Sequence, residues 1–198
     1  DEPEPRPRTI KPAPPGGVRQ LSLGDAQSCA LGHDGLVRCW GHTAALAGRE
    51  TPPPQTVDVD LKKYGATPHV VPAPANVTQI AQHRLASCTV DAEHRLRCSR
   101  VVGHGADLQA VYEPWLELPD VRQVLVGAEF ACALRLDGSA WCWGANRFEQ
   151  LGYTTKGDAS DVPALTRAHV QRLALGLEHA CALIGEPERT HLECWGRN

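Results

Sequence analysis

The chain has 198 residues, of which 42% are hydrophobic and 22% are charged, a composition typical of one globular domain with a sizeable core. Its net charge of −3 at pH 7 gives no electrostatic basis for binding DNA, RNA or an anionic membrane. No run of about 18 apolar residues occurs, so the sequence predicts no membrane-spanning helix.

Residues 1–8, DEPEPRPR, contain only prolines and charged residues, with no apolar side chain to anchor them. That composition predicts a disordered, proline-rich tether. Because the sequence starts at Asp1 and contains no methionine, we expect a mature form whose leader has been removed. A spacer behind a lipid anchor upstream of Asp1 is the alternative interpretation of these residues.

Residues 9–17, TIKPAPPGG, resemble two later segments, HVVPAPANV from His69 and DVPALTRAHV from Asp161. Each later segment runs directly into an apolar strand, and we interpret it as the last strand of the preceding structural unit. Residues 9–15 then form a strand with no unit before it. Its three prolines suit an outer edge strand, where missing N–H donors cost little.

Four pairs of cysteines each bracket a predicted β-hairpin. The third hairpin has a three-residue loop, Leu136-Asp137-Gly138, with glycine where a positive φ is required. This loop places Cys132 opposite Cys142, within disulfide distance. The first hairpin keeps the loop and the cysteine spacing, in CALGHDGLVRCWG. The second keeps only the spacing, in CTVDAEHRLRCSR. The fourth has a turn three residues longer, in CALIGEPERTHLECWG. The predicted disulfides are Cys29–Cys39, Cys88–Cys98, Cys132–Cys142 and Cys181–Cys194.

The cysteine count indicates the cellular compartment. Eight cysteines paired within hairpins suit an oxidising environment such as the periplasm, the cell surface or the medium. Structural zinc is the alternative, but zinc sites usually separate paired cysteines by about two to four residues, whereas nine residues separate the members of three of these pairs. We therefore expect an extracytoplasmic protein with no metal site and no cofactor.

Each first cysteine follows an apolar strand, and the whole unit recurs at about 50 residues, which predicts a β-propeller or a β-solenoid. A single domain from 9 to 198 would hold four repeats, at about 18–69, 77–119, 121–168 and 170–198. Three tryptophans recur at one repeat position and are predicted to fill the space between neighbouring units: Trp40, Trp143 and Trp195.

Four sequence features resemble the regulator of chromosome condensation (RCC) repeat: GLEHACAL from Gly176, the Asp137-Gly138 turn, CWGAN from Cys142 and QLG from Gln150. The resemblance covers nearly all of the chain after residue 9 and is strongest to the cysteine-paired repeats of secreted bacterial members. Glu149 stands where the family has glycine. The resemblance implies an all-β fold, a β-propeller of four-stranded blades. It implies no single activity, since the family includes a nucleotide-exchange factor, enzyme inhibitors and scaffolds.

The arrangement of the four blades has more than one solution. The fourth repeat stops at CWGRN, where it should continue into a last strand. The strand around Thr9 to Pro14 is predicted to complete the blade that begins at Val170, because ring closure removes exposed sheet edges. The alternatives are a half-ring that completes an eight-bladed homodimer and an open arc capped by a partner.

Two long segments, 42–69 and 100–119, interrupt the repeats, and loops of this length are usually functional. Aromatic side chains of the kind that dominates binding interfaces occur there and in the third repeat. Those predicted to contact a protein partner are Tyr64, Tyr112, Trp115 and Phe148. Packing against the second blade is the alternative role for Tyr112 and Trp115.

No catalytic motif is recognisable: both HExxH and the Gly-x-Ser-x-Gly elbow are absent from the sequence. We therefore expect no enzymatic activity. Glu129 and Glu178 occupy the same repeat position, and together with Asp25 they could converge on a central channel. Paired carboxylates there would favour the alternative function, a hydrolase or a carbohydrate-binding propeller.

The sequence thus predicts a secreted or cell-surface module that binds another protein through loops on a disulfide-stapled propeller, as a scaffold or an inhibitor. A structural subunit of an envelope complex is a further alternative with the same sequence features. Nucleotide exchange is disfavoured, because disulfides and an acidic charge balance do not suit a nuclear setting.

Overall fold

The structure, a computed structural model, describes residues 14–24, 27–41, 69–71, 73, 76–83, 86–100, 116–186 and 188–197. In these residues every regular element is a β-strand, and the fifteen strands form four antiparallel sheets. This part of the chain contains no helix long and apolar enough to cross a membrane. The predicted all-β fold is confirmed.

Each sheet is a meander in which every strand pairs with its neighbours in sequence. The first sheet contains β1 (Val18–Leu23), β2 (Gln27–Gly32), β3 (Val37–Gly41) and β4 (His69–Val71). The second sheet contains β5 (Val77–His83), β6 (Ala86–Asp91), β7 (Leu96–Arg100) and β8 (Leu116–Leu118). The third sheet contains β9 (Val121–Val126), β10 (Phe130–Arg135), β11 (Ala140–Ala145) and β12 (Ala159–Arg167). The fourth sheet, as far as it is described, contains β13 (Val170–Leu175), β14 (His179–Glu186) and β15 (Arg189–Gly196).

The two cysteines of each pair lie directly opposite one another on the second and third strands of their sheet. Cys132 faces Cys142 across β10 and β11, in the predicted register. The Cα–Cα distance is 4.1 Å in each of the four disulfides, and no cysteine of the chain is free. The pairing predicted from the hairpins is therefore confirmed. Closing loops of this size is expected to stabilise the fold by about 2–3 kcal/mol each.

The second hairpin forms its turn without the Asp-Gly pair of the first and third hairpins. In the first and third hairpins the turn residue with positive φ is glycine, with φ of 77° at Gly35 and 79° at Gly138. His94 takes the same position with a φ of 61°. The Asp91 carboxylate holds this turn, because it accepts hydrogen bonds from two backbone N–H groups further along the turn, at 3.0 and 2.9 Å. Side-chain hydrogen bonding thus compensates for a residue that is less suited to positive φ.

The fourth hairpin differs from the prediction of a longer turn, which was wrong. Antiparallel pairing continues beyond Cys181 and Cys194 as far as Glu186 opposite Arg189, so the extra residues lengthen the two strands. Gly185 permits this extension. Its φ is 118°, and a Cβ atom there would lie 2.2 Å from the carbonyl oxygen of Arg189.

The two faces of a sheet contact different neighbours. The disulfide face carries the cysteine pair, and the opposite face, which we call the valine face, carries the valine that begins the first strand. The disulfide face of each of the first three sheets packs against the valine face of the following sheet, in three apolar clusters. Trp143 and Trp195 lie in two of these clusters, only 1% and 9% exposed. Their predicted role between neighbouring units is therefore confirmed.

The valine face of the first sheet packs against no other sheet in these three clusters. Trp40 lies on the first sheet and is only half-buried. Pro14, the end of the predicted closing strand, lies beside Gly32 of the first sheet, and its carbonyl accepts the Gly17 N–H at 3.0 Å. Residues 9–13 lie outside the described residues, so closure of the fourth sheet by this strand stays a prediction.

Candidate protein-binding surface

The loops available to a partner emerge at one end of the four sheets. Because the strands alternate in direction, the loop after each first strand and the chain that leaves each third strand lie at the same end. We call this end the loop face, and the opposite end, where the Asp-Gly turns lie, the turn face. The strands that flank residues 42–68 and 101–115 also end at the loop face. Those two segments, which contain the predicted contact residues Tyr64, Tyr112 and Trp115, lie outside the described residues.

An aromatic ring and an arginine from different sheets meet on the loop face. Phe148, between β11 and β12, is 38% exposed, and the guanidinium carbon of Arg197 lies 4.7 Å from the centre of its ring. Arg197 also forms an ion pair with Glu178, with 2.9 Å between Nη1 and Oε2. We call these three residues, with the adjoining exposed Leu177, the Phe148 cluster. It offers a partner apolar area, a cation and a carboxylate at one place.

Buried amide side chains hold the turn that carries Phe148. The Oε1 atom of Gln150 accepts a hydrogen bond from the Phe148 N–H at 3.0 Å. The Oδ1 atom of Asn146 accepts one from the Leu151 N–H at 2.9 Å, and its amide donates to the Tyr153 carbonyl at 2.8 Å. Gln150 and Asn146 are both buried. The turn is therefore ordered before a partner arrives, which lowers the entropic cost of binding.

Trp195 joins the same turn to the fourth sheet. Its indole N–H donates to the Gln150 carbonyl at 3.0 Å, and the guanidinium carbon of Arg167 lies 4.8 Å from the centre of its ring. Arg167 also donates to Glu193 at 2.7 Å. Hydrogen bonds from Arg167 and then His191 hold the pKa of Glu193 below its ordinary value. The carboxylate therefore stays ionised, and keeps Arg167 in place, in mildly acidic solution.

The repeated Trp-Gly pair has a structural cause at this face. Gly144 has a φ of 110°, and a Cβ atom there would lie 2.5 Å from the Glu129 carbonyl oxygen. Gly196 has a φ of 99°, with the same 2.5 Å distance to the Glu178 carbonyl oxygen. In each case the N–H of the following residue donates to that oxygen, at 2.8 and 2.9 Å. Glycine is needed because the loop after the first strand approaches the third strand too closely for a side chain.

Sequence reasoning identified Phe148 and missed its contact with Arg197. The N–H of Arg197 bonds to Glu178 as the N–H of Ala145 bonds to Glu129, so Arg197 and Ala145 are equivalent positions. An arginine where the neighbouring repeat has alanine was the signal available in the sequence. It indicated an unusual position but not the aromatic ring beside it, which belongs to the preceding repeat.

A groove of about 550 Å³ runs along the first strands of the first three sheets. Its glutamine amides connect neighbouring sheets. Gln20 exchanges two hydrogen bonds of 2.9 Å with the backbone of Ile80. Gln79 donates to the Arg122 carbonyl and accepts from the Val124 N–H. These amides stabilise the packing of the sheets, and their hydrogen-bonding groups are engaged by the protein itself.

Of the carboxylates predicted to converge on a channel, the two that the structure describes, Glu129 and Glu178, do not line this groove. Glu178 pairs with Arg197, Glu129 is exposed, and Asp25 lies outside the described residues. Among the residues that the structure describes, no three His, Cys, Asp or Glu side chains are grouped to hold a metal ion. Glu129 and Glu178 therefore do not form the predicted carboxylate pair at the groove.

Comparison with known proteins identifies the repeat. Residues 121–150 and 137–183 match two models of the regulator of chromosome condensation (RCC1) repeat. Protein pim1 of Schizosaccharomyces pombe is 31% identical over 156 residues, which cover 69% of this chain and 28% of pim1.

Solved structures show the same fold. Yeast RCC1 (Prp20), in a crystal structure bound to Kap60, matches 91% of this chain with a TM-score of 0.69 and 22% identity, over 42% of its own length. A second structure, of Prp20p from Saccharomyces cerevisiae, is described with its binding to Gsp1p and histones. It gives a TM-score of 0.67, again at 22% identity, over 91% of this chain and 44% of that protein. The crystal structure of human WBSCR16 gives a TM-score of 0.65 at 22% identity, over 92% of this chain and 48% of WBSCR16. The chain spans less than half the length of each of these relatives.

Proposed function

Because the chain belongs to the RCC1 repeat family, we propose that it is a protein-binding module that contacts its partner through the loop face of disulfide-stapled blades. The partner's surface would cover the Phe148 cluster, and the chain itself performs no catalysis. The relative Prp20 also binds proteins: it was crystallised bound to Kap60, and its structure is described with its binding to Gsp1p and histones.

The Phe148 cluster is the observation that carries this proposal. Aromatic and arginine side chains are enriched in the energetically dominant centres of interfaces. Phe148 is exposed although its turn is held by two buried amides, so the ring is positioned and not yet covered. Arg197 lies over this ring and forms an ion pair with Glu178, with 2.9 Å between Nη1 and Oε2.

An extracytoplasmic location is part of the proposal. All eight cysteines form disulfides within their own sheets, and such bonds persist in oxidising compartments. The partner would then be a secreted, periplasmic or surface protein. A structural subunit of an envelope complex would use the same surface in the same compartment.

A capture experiment tests the proposed function. The full chain, immobilised, would be used to recover proteins from the extracytoplasmic fraction of the source cells, and the affinity of each recovered protein would be measured. The double substitution Phe148→Ala with Arg197→Ala should weaken binding at least tenfold, equivalent to about 1.4 kcal/mol.

The matched control is Leu136→Ala, which removes an exposed leucine from the turn face. It should leave the affinity unchanged. Equal binding by the wild type, the double variant and the control would overturn the proposal, and so would stronger loss in the control than in the double variant.

A further inference from the structure

Two apolar sheet faces are exposed at the two ends of the row of sheets, although equivalent faces are buried between neighbouring sheets. One is the valine face of the first sheet, and the other is the disulfide face of the fourth sheet. Neither packs against another sheet in the described clusters, which join the first sheet to the second, the second to the third and the third to the fourth.

The disulfide faces show this difference most clearly. Each disulfide face consists of four residues: the two cysteines, the residue two positions after the first cysteine, and the residue two positions before the second cysteine. In the first three sheets all twelve of these residues are at most 2% exposed. In the fourth sheet Leu192 is 69% exposed, Cys194 is exposed, and Cys181 and Leu183 are half-buried.

The valine faces show the complementary difference. The first and fourth residues of the leading strand are at most 6% exposed in the second, third and fourth sheets. In the first sheet the equivalent residues, Val18 and Leu21, are 43% and 59% exposed, and Leu23 further along is 68% exposed. Apolar side chains clustered in this way are a surface that aqueous solvent disfavours.

We propose that these two end faces bind each other between two copies of the chain, so that a head-to-tail homodimer forms a closed ring of eight sheets. The disulfide face of the fourth sheet in one copy would pack on the valine face of the first sheet in the other, and the reverse pair would close the ring with two-fold symmetry. Eight blades lie within the range that propellers form. This inference is independent of the proposed partner surface, which lies on the loop face.

The occupant is a second copy because one chain carries both halves of an interface that it already builds three times. Disulfide face against valine face is the packing seen at every internal boundary. Within one copy the two end faces do not cover each other, since Leu21 and Leu192 both remain exposed. The two end faces therefore have the complementarity that the three internal boundaries show.

Hydrogen bonds between the leading strands of neighbouring sheets fit the head-to-tail arrangement. At internal boundaries Gln20 and Gln79, each third in its leading strand, hydrogen-bond the backbone of the next leading strand. Arg172 holds this position in the fourth sheet and is exposed. A guanidinium can make such a contact, as Arg122 does with the Gln171 carbonyl at 2.7 Å. In the dimer Arg172 would donate to a carbonyl of the other copy's β1.

Solution mass and disulfide reactivity together test the proposal. Light scattering on the full chain over a wide concentration range should show the mass rising from 21.4 kDa to twice that value. The Cys181–Cys194 bond reports whether its face is covered, because the other six cysteines are at most 2% exposed. Brief treatment with a phosphine reductant, then alkylation and peptide mapping, should show this bond reduced at least tenfold more slowly in the dimeric concentration range.

Charge substitutions test the head-to-tail geometry. Leu21→Glu and Leu192→Lys should each abolish dimerisation when alone, because each places a charge in both apolar interfaces. Mixed together they should dimerise, since one interface of the mixed ring is unaltered and the other pairs Glu with Lys. Val162→Glu, at a residue that is 72% exposed on β12, is the control and should dimerise like the wild type.

Three results would overturn the inference. A monomer at all concentrations with a rapidly reduced Cys181–Cys194 bond would show that no second copy covers the face. A monomer in which this bond is protected would show that the chain closes on itself. A mixture of the two charged variants that stays monomeric, although each variant is folded by circular dichroism, would exclude the head-to-tail arrangement.

Discussion

The second and third hairpins have the same cysteine spacing and the same register, but different residues achieve it. In the third hairpin Gly138 takes the positive φ of the turn, and Trp143 and Gly144 lie near the end of the third strand. The second hairpin has His94 in the turn, held by Asp91, and has no Trp-Gly pair. Register therefore depends on loop length and the opposed cysteines, whereas glycine and tryptophan serve other purposes.

The boundaries between sheets show what the tryptophan contributes. Trp143 packs into a cluster with the disulfide face of the second sheet. The strands of the second sheet have no tryptophan to pack on the first sheet, and among the described residues the cluster there is smaller. Gln82 supplements it: its backbone N–H donates to the Ser22 hydroxyl at 3.0 Å, and its side-chain amide donates to the Ser22 carbonyl at 3.1 Å. A degenerate repeat thus keeps its place by exchanging apolar area for amide hydrogen bonds.

Removing the tryptophan should have the largest effect. Trp143→Ala leaves a cavity between two sheets and is expected to lower the free energy of unfolding by about 3–5 kcal/mol, measured by urea denaturation. Trp40→Ala, at the equivalent but half-buried position, should cost less than half as much when both variants are measured in the monomeric concentration range. Equal losses would mean that the two tryptophans have the same packing role.

A side chain at the glycine after Trp143 should have the next largest effect. Gly144→Ala places a Cβ atom 2.5 Å from the Glu129 carbonyl oxygen at a φ of 110°, and should destabilise by about 2–3 kcal/mol. Gly157→Ala is the control, because its Cβ atom would meet no heavy atom within 4 Å; its effect should stay within about 0.5 kcal/mol. A neutral Gly144→Ala would show that the loop can move away.

Removing the charge of Asp91 should destabilise the turn that replaces Asp-Gly. Burial raises the pKa of Asp91, but hydrogen bonds from the backbone and side chain of Arg95 and from the Glu93 N–H outweigh it, so the net pKa is lowered. Asp91→Asn should cost about 1–3 kcal/mol at neutral pH, measured by urea denaturation.

The pH dependence of that loss has a definite sign. A carboxylate with a lowered folded-state pKa stabilises fully above its unfolded pKa of about 3.9, and the stabilisation disappears as pH falls through the folded value. The difference between wild type and Asp91→Asn should therefore shrink below about pH 4. A difference that persisted unchanged at low pH would assign the effect to packing and not to charge.

The smallest expected effect is a gain in stability. Glu149, like His94, has a positive φ, here 58°, which costs a non-glycine residue about 1 kcal/mol. Glu149→Gly should therefore raise the thermal midpoint by a few degrees, corresponding to about 0.5–1 kcal/mol. A lower midpoint would mean that the Glu149 side chain makes a stabilising contact.

Features encoded by local sequence were predictable. The Leu136-Asp137-Gly138 loop and the opposed cysteines determine the hairpin register, since turn type and strand pairing depend on neighbouring residues. The segments from His69 and Asp161 were interpreted as the last strands of their units, and last strands do lie there, β4 over His69–Val71 and β12 over Ala159–Arg167. Repetition of the tryptophan indicated its position between sheets.

Features that join different repeats were not predictable in this way. The stacking of Arg197 on Phe148 depends on how the third and fourth sheets pack, which no local pattern records. The extension of the fourth hairpin depends on Gly185, whose tolerance of close backbone approach was not distinguishable from turn formation in the sequence. The exposure of Leu21 and Leu192 appears only when the sheets are arranged in space.

A partner bound to the loop face at the Phe148 cluster would protect the backbone there from solvent. Amide hydrogen exchange of the full chain, with and without the partner recovered by capture, measures this protection. Binding should slow exchange several-fold at residues 147–149 and 176–178, and leave the turn at 136–139 unchanged. Protection confined to the 136–139 turn, or to the strands that line the groove, would show that the partner does not bind the loop face.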